Sequence, residues 1–288
     1  MGGKMRILSW NIQWGRGADG RVDLERTLAA IRAAGEFELI CLQEVACNFP
    51  GLPGGARQDG LAFFARAFPR HEAAFVAALD VPDGEGGRAR FGNLVLSALP
   101  LGQVLRHQLP SPADPAVPSM ARACVEAMVH TAAGWVRVMT THLEYYSALQ
   151  REAQAGALRA VQLEAAMLAA RPPAKGRESN PAFAAPPRPA SALLCGDFNC
   201  EPGSPAHALL QQPLPGELPG WRDAWQLLHP GRPHPPSVGL HGAEWPDRAY
   251  CCDYFFVSAD LAPRLRTVEV LTETDASDHQ PVVLELDG

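Results

Sequence analysis

The stretch that most constrains this chain is Ala192-Leu193-Leu194-Cys195-Gly196-Asp197-Phe198-Asn199. A short apolar run breaks off on a carboxylate and a carboxamide two residues apart. Residues two apart on a strand share a side, so the spacing predicts that Asp197 and Asn199 face one site and Phe198 turns away. Taken alone, the break also fits an ordinary turn, because Asp and Asn side chains hydrogen-bond their own backbone there. Repetition changes the weighing. Apolar runs over 6–12, 38–44 and 135–142 end in the same way, on Asn11, Glu44 and His142. Two more, over 253–257 and 281–286, follow polar residues: the first begins on Asp253 and the second comes just after Asp278-His279.

Between these runs the periodicity predicts further strands over 75–79, 91–97, 122–129 and 265–271. Helices are expected after the N-cap Asp23 (Leu24, Leu28, Ile31), over 61–68, over 148–170 as the longest, over 205–210, and as a short turn near 221–228. A hairpin or loop is expected over 82–90, and loops over 48–59, 110–118, 171–191 and 213–246. The last of these carries Trp221, Trp225, Trp245, His234 and His241, for which packing is the expected role and a substrate wall the alternative. No internal repeat has a fixed period, and the whole of 1–288 is expected to form one domain.

In a largely antiparallel sheet, the ends of some strands and the starts of others lie on one rim. Two such sheets packed face to face gather all six polar tips along one edge. Four of the gathered residues, Glu44, Asp197, Asp253 and Asp278, are carboxylates that repel one another and are costly to desolvate together. A divalent cation resolves that conflict. Oxygen ligands without a thiolate point to Mg²⁺, or Mn²⁺, rather than zinc. His142 and His279 are then free for proton or phosphate-charge work.

Composition narrows the partners. The 288 residues carry a formal charge of -6, which argues against a broad, non-specific nucleic-acid clamp but not against a metal-mediated phosphate site. Seven Cys at irregular spacing give no disulfide framework, so reduced core thiols are expected. The N-terminus lacks a signal-peptide apolar region, no apolar run reaches membrane-span length, and no obligatory protein partner is evident; a cytoplasmic protein is expected.

The set Trp10-Asn11, Gln43-Glu44, Gly92-Asn93, Thr141-His142, Gly196-Asp197-Phe198-Asn199, Asp253-Tyr254 and Ser277-Asp278-His279-Gln280-Pro281, in that order, resembles the endonuclease/exonuclease/phosphatase superfamily (deoxyribonuclease I-like), in a bacterial branch. The resemblance runs from Arg6 to Leu286. It implies an α+β fold, a four-layer αββα sandwich of two mainly antiparallel sheets flanked by helices, and Mg²⁺-dependent phosphoester hydrolysis. By the same resemblance Glu44, Asn11 and Asp278 hold the metal and Asp197 activates the attacking water. Asn199 steadies that water or the phosphate, His279 donates to the phosphate, Asp253 fixes His279, and His142 is a general acid or oxyanion donor. Asn93 either holds the phosphate or caps its strand, and Arg122 either contacts phosphate or forms a structural ion pair. Glu144 either orients His142 or is solvated. One departure is Ala98, where the family often has Arg.

The superfamily shares its catalytic residues, and loops choose the substrate. The leading expectation is a nuclease acting on nucleic acid. A phosphodiesterase or phosphatase of a small or lipid-linked phosphoester is the alternative, and a non-catalytic binding module on the same fold is the third.

Overall fold

The computed structural model describes residues 4–55, 57–173, 180, 188–242 and 246–288. Most of the chain's 171–191 loop and Trp245 lie outside the described residues. Twelve strands form two six-stranded sheets. The first contains β1 (Lys4–Asn11), β2 (Leu39–Cys47), β3 (Glu72–Pro82), β4 (Arg88–Ser97), β11 (Leu265–Val270) and β12 (Val282–Asp287), in the order β11-β12-β1-β2-β4-β3. The second contains β5 (Leu101–Gln108), β6 (Ala123–Thr131), β7 (Gly134–His142), β8 (Ala192–Asp197), β9 (Trp221–Asp223) and β10 (Asp253–Ser258), in the order β5-β6-β7-β8-β10-β9. Each sheet has one parallel pair at its centre, β1 with β2 and β7 with β8, and antiparallel pairs elsewhere.

A parallel pair needs a long crossover, usually a helix. The first crossover carries α1 (Leu24–Ala34), capped by Asp23 through Glu25 and Arg26 N–H. The second carries α3 (Ala148–Ala170), capped by Ser147. The outer face of the first sheet packs Leu8, Trp10, Ile40, Leu42, Leu94 and Leu96 with Leu24 and Ile31 of α1 and Phe64 of α2 (Gly60–Ala67). The outer face of the second packs Met139, Leu194, Phe198 and Phe256 against Ala155 and Leu158 of α3 and against α4 (Pro205–Leu210). Alternate residues of the same strands, including Ile7, Cys41, Val95, Val125, Val138, Cys195, Phe255 and Leu284, fill the space between the sheets. The result is the expected four-layer αββα sandwich. All seven cysteines are free and buried.

The register sets up the site. His142 of β7 stands beside Asp197 of β8, which stands beside Asp253 of β10, one row across three strands. In the first sheet Asn11 stands beside Gln43. Both parallel pairs therefore end on the same rim as the start of β10 and the turn before β12.

Two elements differ from expectation and a third matches it. Residues 101–108 form an edge strand that the sequence pattern does not announce, because its faces are half exposed and mixed in character. The charged stretch 82–90 is the expected hairpin: Pro82 ends β3 and pairs with Arg88 at the start of β4, across a turn in which Asp83 accepts from Glu85 and Gly87 N–H. Residues 221–223 are a short strand, and Asp223 caps α5 (Ala224–Leu228) by accepting from Trp225 and Gln226 N–H.

Candidate active site

A β-bulge aims Glu44. Along β2, Ile40 and Leu42 face the helices while Cys41 and Gln43 face the other sheet. Simple alternation sends Glu44 under the helices. The pairing with β4 instead shifts between Leu42 and Val45, and Glu44 takes φ 58. The inserted residue turns its carboxylate to the rim and lets Val45 resume the apolar face. Gln13 (φ 43) and Asn199 (φ 48) share this left-handed conformation, which costs a non-glycine residue roughly 1–2 kcal/mol. Such strain collects at sites that need a fixed geometry. Gly196 meets a different demand: a Cβ there collides with the Thr141 carbonyl, so only glycine lets β7 and β8 lie this close.

Asp197 is the hub. Its Oδ1 accepts from Asn199 N–H at 2.8 Å. Its Oδ2 accepts from Asn11 Nδ2 at 3.0 Å and lies 3.3 Å from His142 Nε2 and 3.6 Å from His279 Nε2. Asn11 Nδ2 also donates to Glu44 Oε1 at 3.0 Å, while its Oδ1 accepts from Gln13 N–H. Asp278 accepts from Gln13 Nε2 at 2.8 Å and from Ser277 Oγ at 3.1 Å. Asn11, Glu44, Asp197 and Asp278 thus share one connected cluster, as the strand tips predict.

His279 and Asp253 form a buried pair, Nδ1 to Oδ2 at 2.9 Å. Ser237 Oγ donates to the same Oδ2 at 2.7 Å and itself accepts from Cys252 and Asp253 N–H. Burial opposes charge on His279, yet Asp253, Asp197 and Asp278 around it hold the imidazolium well above its usual range. His279 therefore keeps both ring protons at neutral pH, one directed to Asp253 and the other toward Asp197.

His142 is the opposite case. Asn199 Nδ2 donates to Leu143 O at 2.9 Å, which orients the amide, and the same nitrogen lies 2.9 Å from His142 Nε2. Nε2 is therefore an acceptor, and the ring proton sits on Nδ1, 3.7 Å from Glu44 Oε1. Burial, reinforced by the nearby Arg122 cation, drives its pKa down to about 3. One imidazole is cationic and the other neutral, 3.6 and 3.3 Å from the same carboxylate oxygen. Burial and the Asp278 charge lift Glu44 to about 7, and burial also raises Asp278.

Arg122 is 6% exposed and pairs through Nε with Glu144 at 3.2 Å. Its Nη1 is buried without a hydrogen-bond partner. Glu144 is fully buried and neither solvated nor bound to His142; it also receives Met120 and Tyr146 N–H. Asn93 sends its Nδ2 to Ala123 O at 2.8 Å, a tie between the sheets rather than to the carboxylate cluster. Among the loop residues, Trp221 is core, His234 bonds Asp223 and His241 bonds the Thr272 carbonyl. Trp221 and His234 pack, as expected, whereas His241 lies exposed.

Sequence reasoning passed over Gln13 and Ser237. Gln13 lies two residues past the Asn11 tip, a spacing that placed Asn199 by the same logic. Ser237 has no local signal, since its place depends on Val238 bridging to both Tyr250 and His279.

A second histidine–carboxylate group lies in the outer layer. Asp223 Oδ2 accepts from His207 Nε2 at 2.9 Å and His234 Nε2 at 2.8 Å. His207 Nδ1 accepts from Gly203 N–H at 3.2 Å, so its proton is on Nε2 and no lone pair there is free for a metal. This group ties α4, α5 and the following loop together.

A two-sheet sandwich with a carboxylate, imidazole and carboxamide cluster on one rim defines a class of phosphoester hydrolases. The family model for the Endonuclease/Exonuclease/phosphatase family matches residues 8–279, and the chain belongs to that family. No curated protein matches. Among solved structures, an endonuclease/exonuclease/phosphatase from Beutenbergia cavernae is 23% identical, with TM-score 0.59, covering 99% of this chain and 71% of its own. A mannosyl-6-phosphatase from Bacteroides thetaiotaomicron is 17% identical, with TM-score 0.67 and coverage of 98% and 99%. D. rerio TDP2 complexed with a single-strand DNA product is 18% identical, with TM-score 0.60 and coverage of 99% of each chain. At these identities the likeness shows the fold. The family is one of divalent-metal-dependent phosphoester hydrolases.

Proposed function

We propose that this chain hydrolyses a phosphodiester by attack of an Asp197-activated water, as a nuclease-type enzyme. The observation that carries the proposal is Asp197 Oδ2, placed within 3.6 Å of two imidazoles, His142 and His279. The donors fit a hard divalent cation: Glu44 and Asp278 are carboxylates raised first by burial, Glu44 also by the Asp278 charge and Asp278 by that of Asp197, which is the strain a cation relieves. Glu44 and Asp278 would hold Mg²⁺ or Mn²⁺ with Asn11 beside them. When bound, the ion polarises a phosphoryl oxygen and stabilises developing negative charge.

The chain's own groups do the rest. Asp197 Oδ2 accepts the water proton while Oδ1, fixed by Asn199 N–H, prevents rotation. His279, cationic and anchored by Asp253, donates from Nε2 to the phosphoryl oxygen as charge builds. Arg122 meets the phosphate with its unpartnered Nη1, held in place by Glu144. His142 is neutral, so of its two roles the hydrogen-bond donor is favoured over the proton donor. Asn199 orients it. Asn93 acts through the sheet-to-sheet tie.

A second reading, a small or lipid-linked phosphoester, is supported by the pairing of the arginines. Arg26, Arg57, Arg88, Arg248 and Arg266 each sit against Asp or Glu, and the formal charge of -6 does not favour a broad clamp on a polymer backbone. A hydrolysis panel with Mg²⁺ or Mn²⁺ separates the two: supercoiled plasmid, single-stranded oligonucleotides, bis-p-nitrophenyl phosphate, inositol phosphates and sphingomyelin. Turnover of the first two that is lost in EDTA and reduced about 10²- to 10³-fold in His279→Ala supports the nuclease reading. Activity that survives thorough EDTA treatment refutes the mechanism.

A further inference from the structure

Beside the His279–Asp253 pair lies a third donor, Cys252, that the phosphoester chemistry does not use. Cys252 Sγ is 3.5 Å from Asp253 Oδ2 and 3.9 Å from His279 Nδ1, and those two atoms are 2.9 Å apart. Asp253 is 4% exposed, and its Oδ1 is buried without any hydrogen-bond partner. One ligand atom each from Asp197, Cys252, Asp253 and His279 lies within 4.8 Å of the others. A buried carboxylate oxygen without a donor is costly, and a cation is one of the few things that satisfies it. Tetrahedral zinc, with Zn–S near 2.3 Å and Zn–N or Zn–O near 2.0 Å, separates its ligand atoms by about 3.3–3.6 Å. The triangle of 2.9, 3.5 and 3.9 Å needs adjustments of less than half an ångström to meet that.

We infer that Cys252, Asp253 and His279 form a second, soft-donor metal site for Zn²⁺ that overlaps the His279–Asp253 pair and disables it. The sulfur, nitrogen and oxygen set differs in kind from the oxygen set of Glu44 and Asp278, and a thiolate selects zinc over magnesium. Asp253 offers both oxygens to the ion: Oδ2, the atom of that triangle, to which Ser237 Oγ still donates, and Oδ1, which has no other partner. One divalent ion enters as two protons leave, from the Cys252 thiol and from His279 Nδ1, so the buried net charge is unchanged. The imidazole is then neutral and held at Nδ1. The cationic donor that faces the phosphate is lost.

The test is a Co²⁺ titration of the full chain with Mg²⁺ in excess. One Co²⁺ per chain is expected, with a near-ultraviolet thiolate-to-cobalt charge-transfer band. In Cys252→Ser the band disappears and Zn²⁺ affinity, read by competition with a chromophoric chelator, falls at least about 100-fold, the upper end of what losing a mere supporting contact costs. A wild type without the band, a band that survives Cys252→Ser, or one lost instead in Cys251→Ser overturns the site. If Cys252→Ser does not fold, X-ray absorption on the zinc-loaded wild type decides: one sulfur near 2.3 Å supports the site, and a shell without sulfur overturns it. In turnover, Zn²⁺ should inhibit non-competitively with Mg²⁺; a competitive pattern overturns a separate site. The overlap with His279–Asp253 rests on the proposed function only in this last arm. Absence of turnover under every condition counts against the phosphoesterase reading and leaves the cobalt spectrum to decide the metal site.

Discussion

The two oxygens of Asp197 have separate tasks. Oδ1 is tied to Asn199 N–H, and Oδ2 alone faces Asn11, His142 and His279. Replacing the residue by Asn keeps an oxygen for the Asn199 tie but puts an amide, which is no base, among the imidazoles. Asp197→Asn should therefore lower kcat about 10³-fold, within the range for loss of a general base, with thermal stability little changed. Near-normal turnover on a substrate that the wild type cleaves removes Asp197 from the water-activating role. The Asp253–His279 pair yields a second outcome. Asp253→Asn takes away the anion that sustains the His279 charge, so the variant should lose activity progressively as pH rises through neutrality, where the wild type does not. Parallel pH profiles for the two proteins contradict that dependence.

At the scale of elements, the strand tips were legible because each is a change of polarity inside an apolar run. Asn11, Glu44, His142, Asp197, Asp253 and Asp278/His279 all reach one rim. What the pattern concealed was how Glu44 gets there. The bulge at Leu42–Val45 adds a residue without altering composition, and alternation taken literally points Glu44 the wrong way. Edge strand β5 escaped for a related reason, since an exposed edge carries no sustained apolar side. A structural ion pair was one of the two expectations for Arg122, but its partner Glu144 was not legible, because a buried ion pair depends on two segments meeting. A larger network of the same kind sits on the outer face of the second sheet. Glu126 is fully buried and bonded to His107, Arg137 and Arg188, whose hydrogen bonds and charges overcome burial to hold its pKa down to about 2. Arg137, also fully buried, is left without its counter-charge if Glu126 goes. Glu126→Ala should cost about 3–5 kcal/mol in urea denaturation, the range for breaking a buried pair from one side. A loss under about 1 kcal/mol means the arginines find other partners.

Across the whole molecule the charge is -6, and the buried rim concentrates part of it where water screens least. Glu44 moves from the ordinary value of 4.5 to about 7, and Asp278 moves the same way. Both groups therefore hold a proton more tightly folded than unfolded. In the absence of metal, stability is highest below the unfolded value and falls as pH climbs from about 4.5 toward 7, at most about 3 kcal/mol for Glu44 alone. The raised His279 adds to the same slope, since its charge is stabilised in the fold and lost only as pH rises through its elevated value. Mg²⁺ acts in the other direction. It binds the ionised carboxylates and so must displace the Glu44 proton below about pH 7. The rise in Tm on adding Mg²⁺ should be small near about pH 5.5 and largest above neutrality. At a concentration about 100-fold above its Kd the ion contributes about 2.7 kcal/mol, a shift of roughly 4–5 °C for a chain of this size. Differential scanning fluorimetry with and without Mg²⁺ across that range measures it directly. An equal shift at both ends means that Glu44 and Asp278 do not hold the ion, because an ion held by them has to compete with their protons.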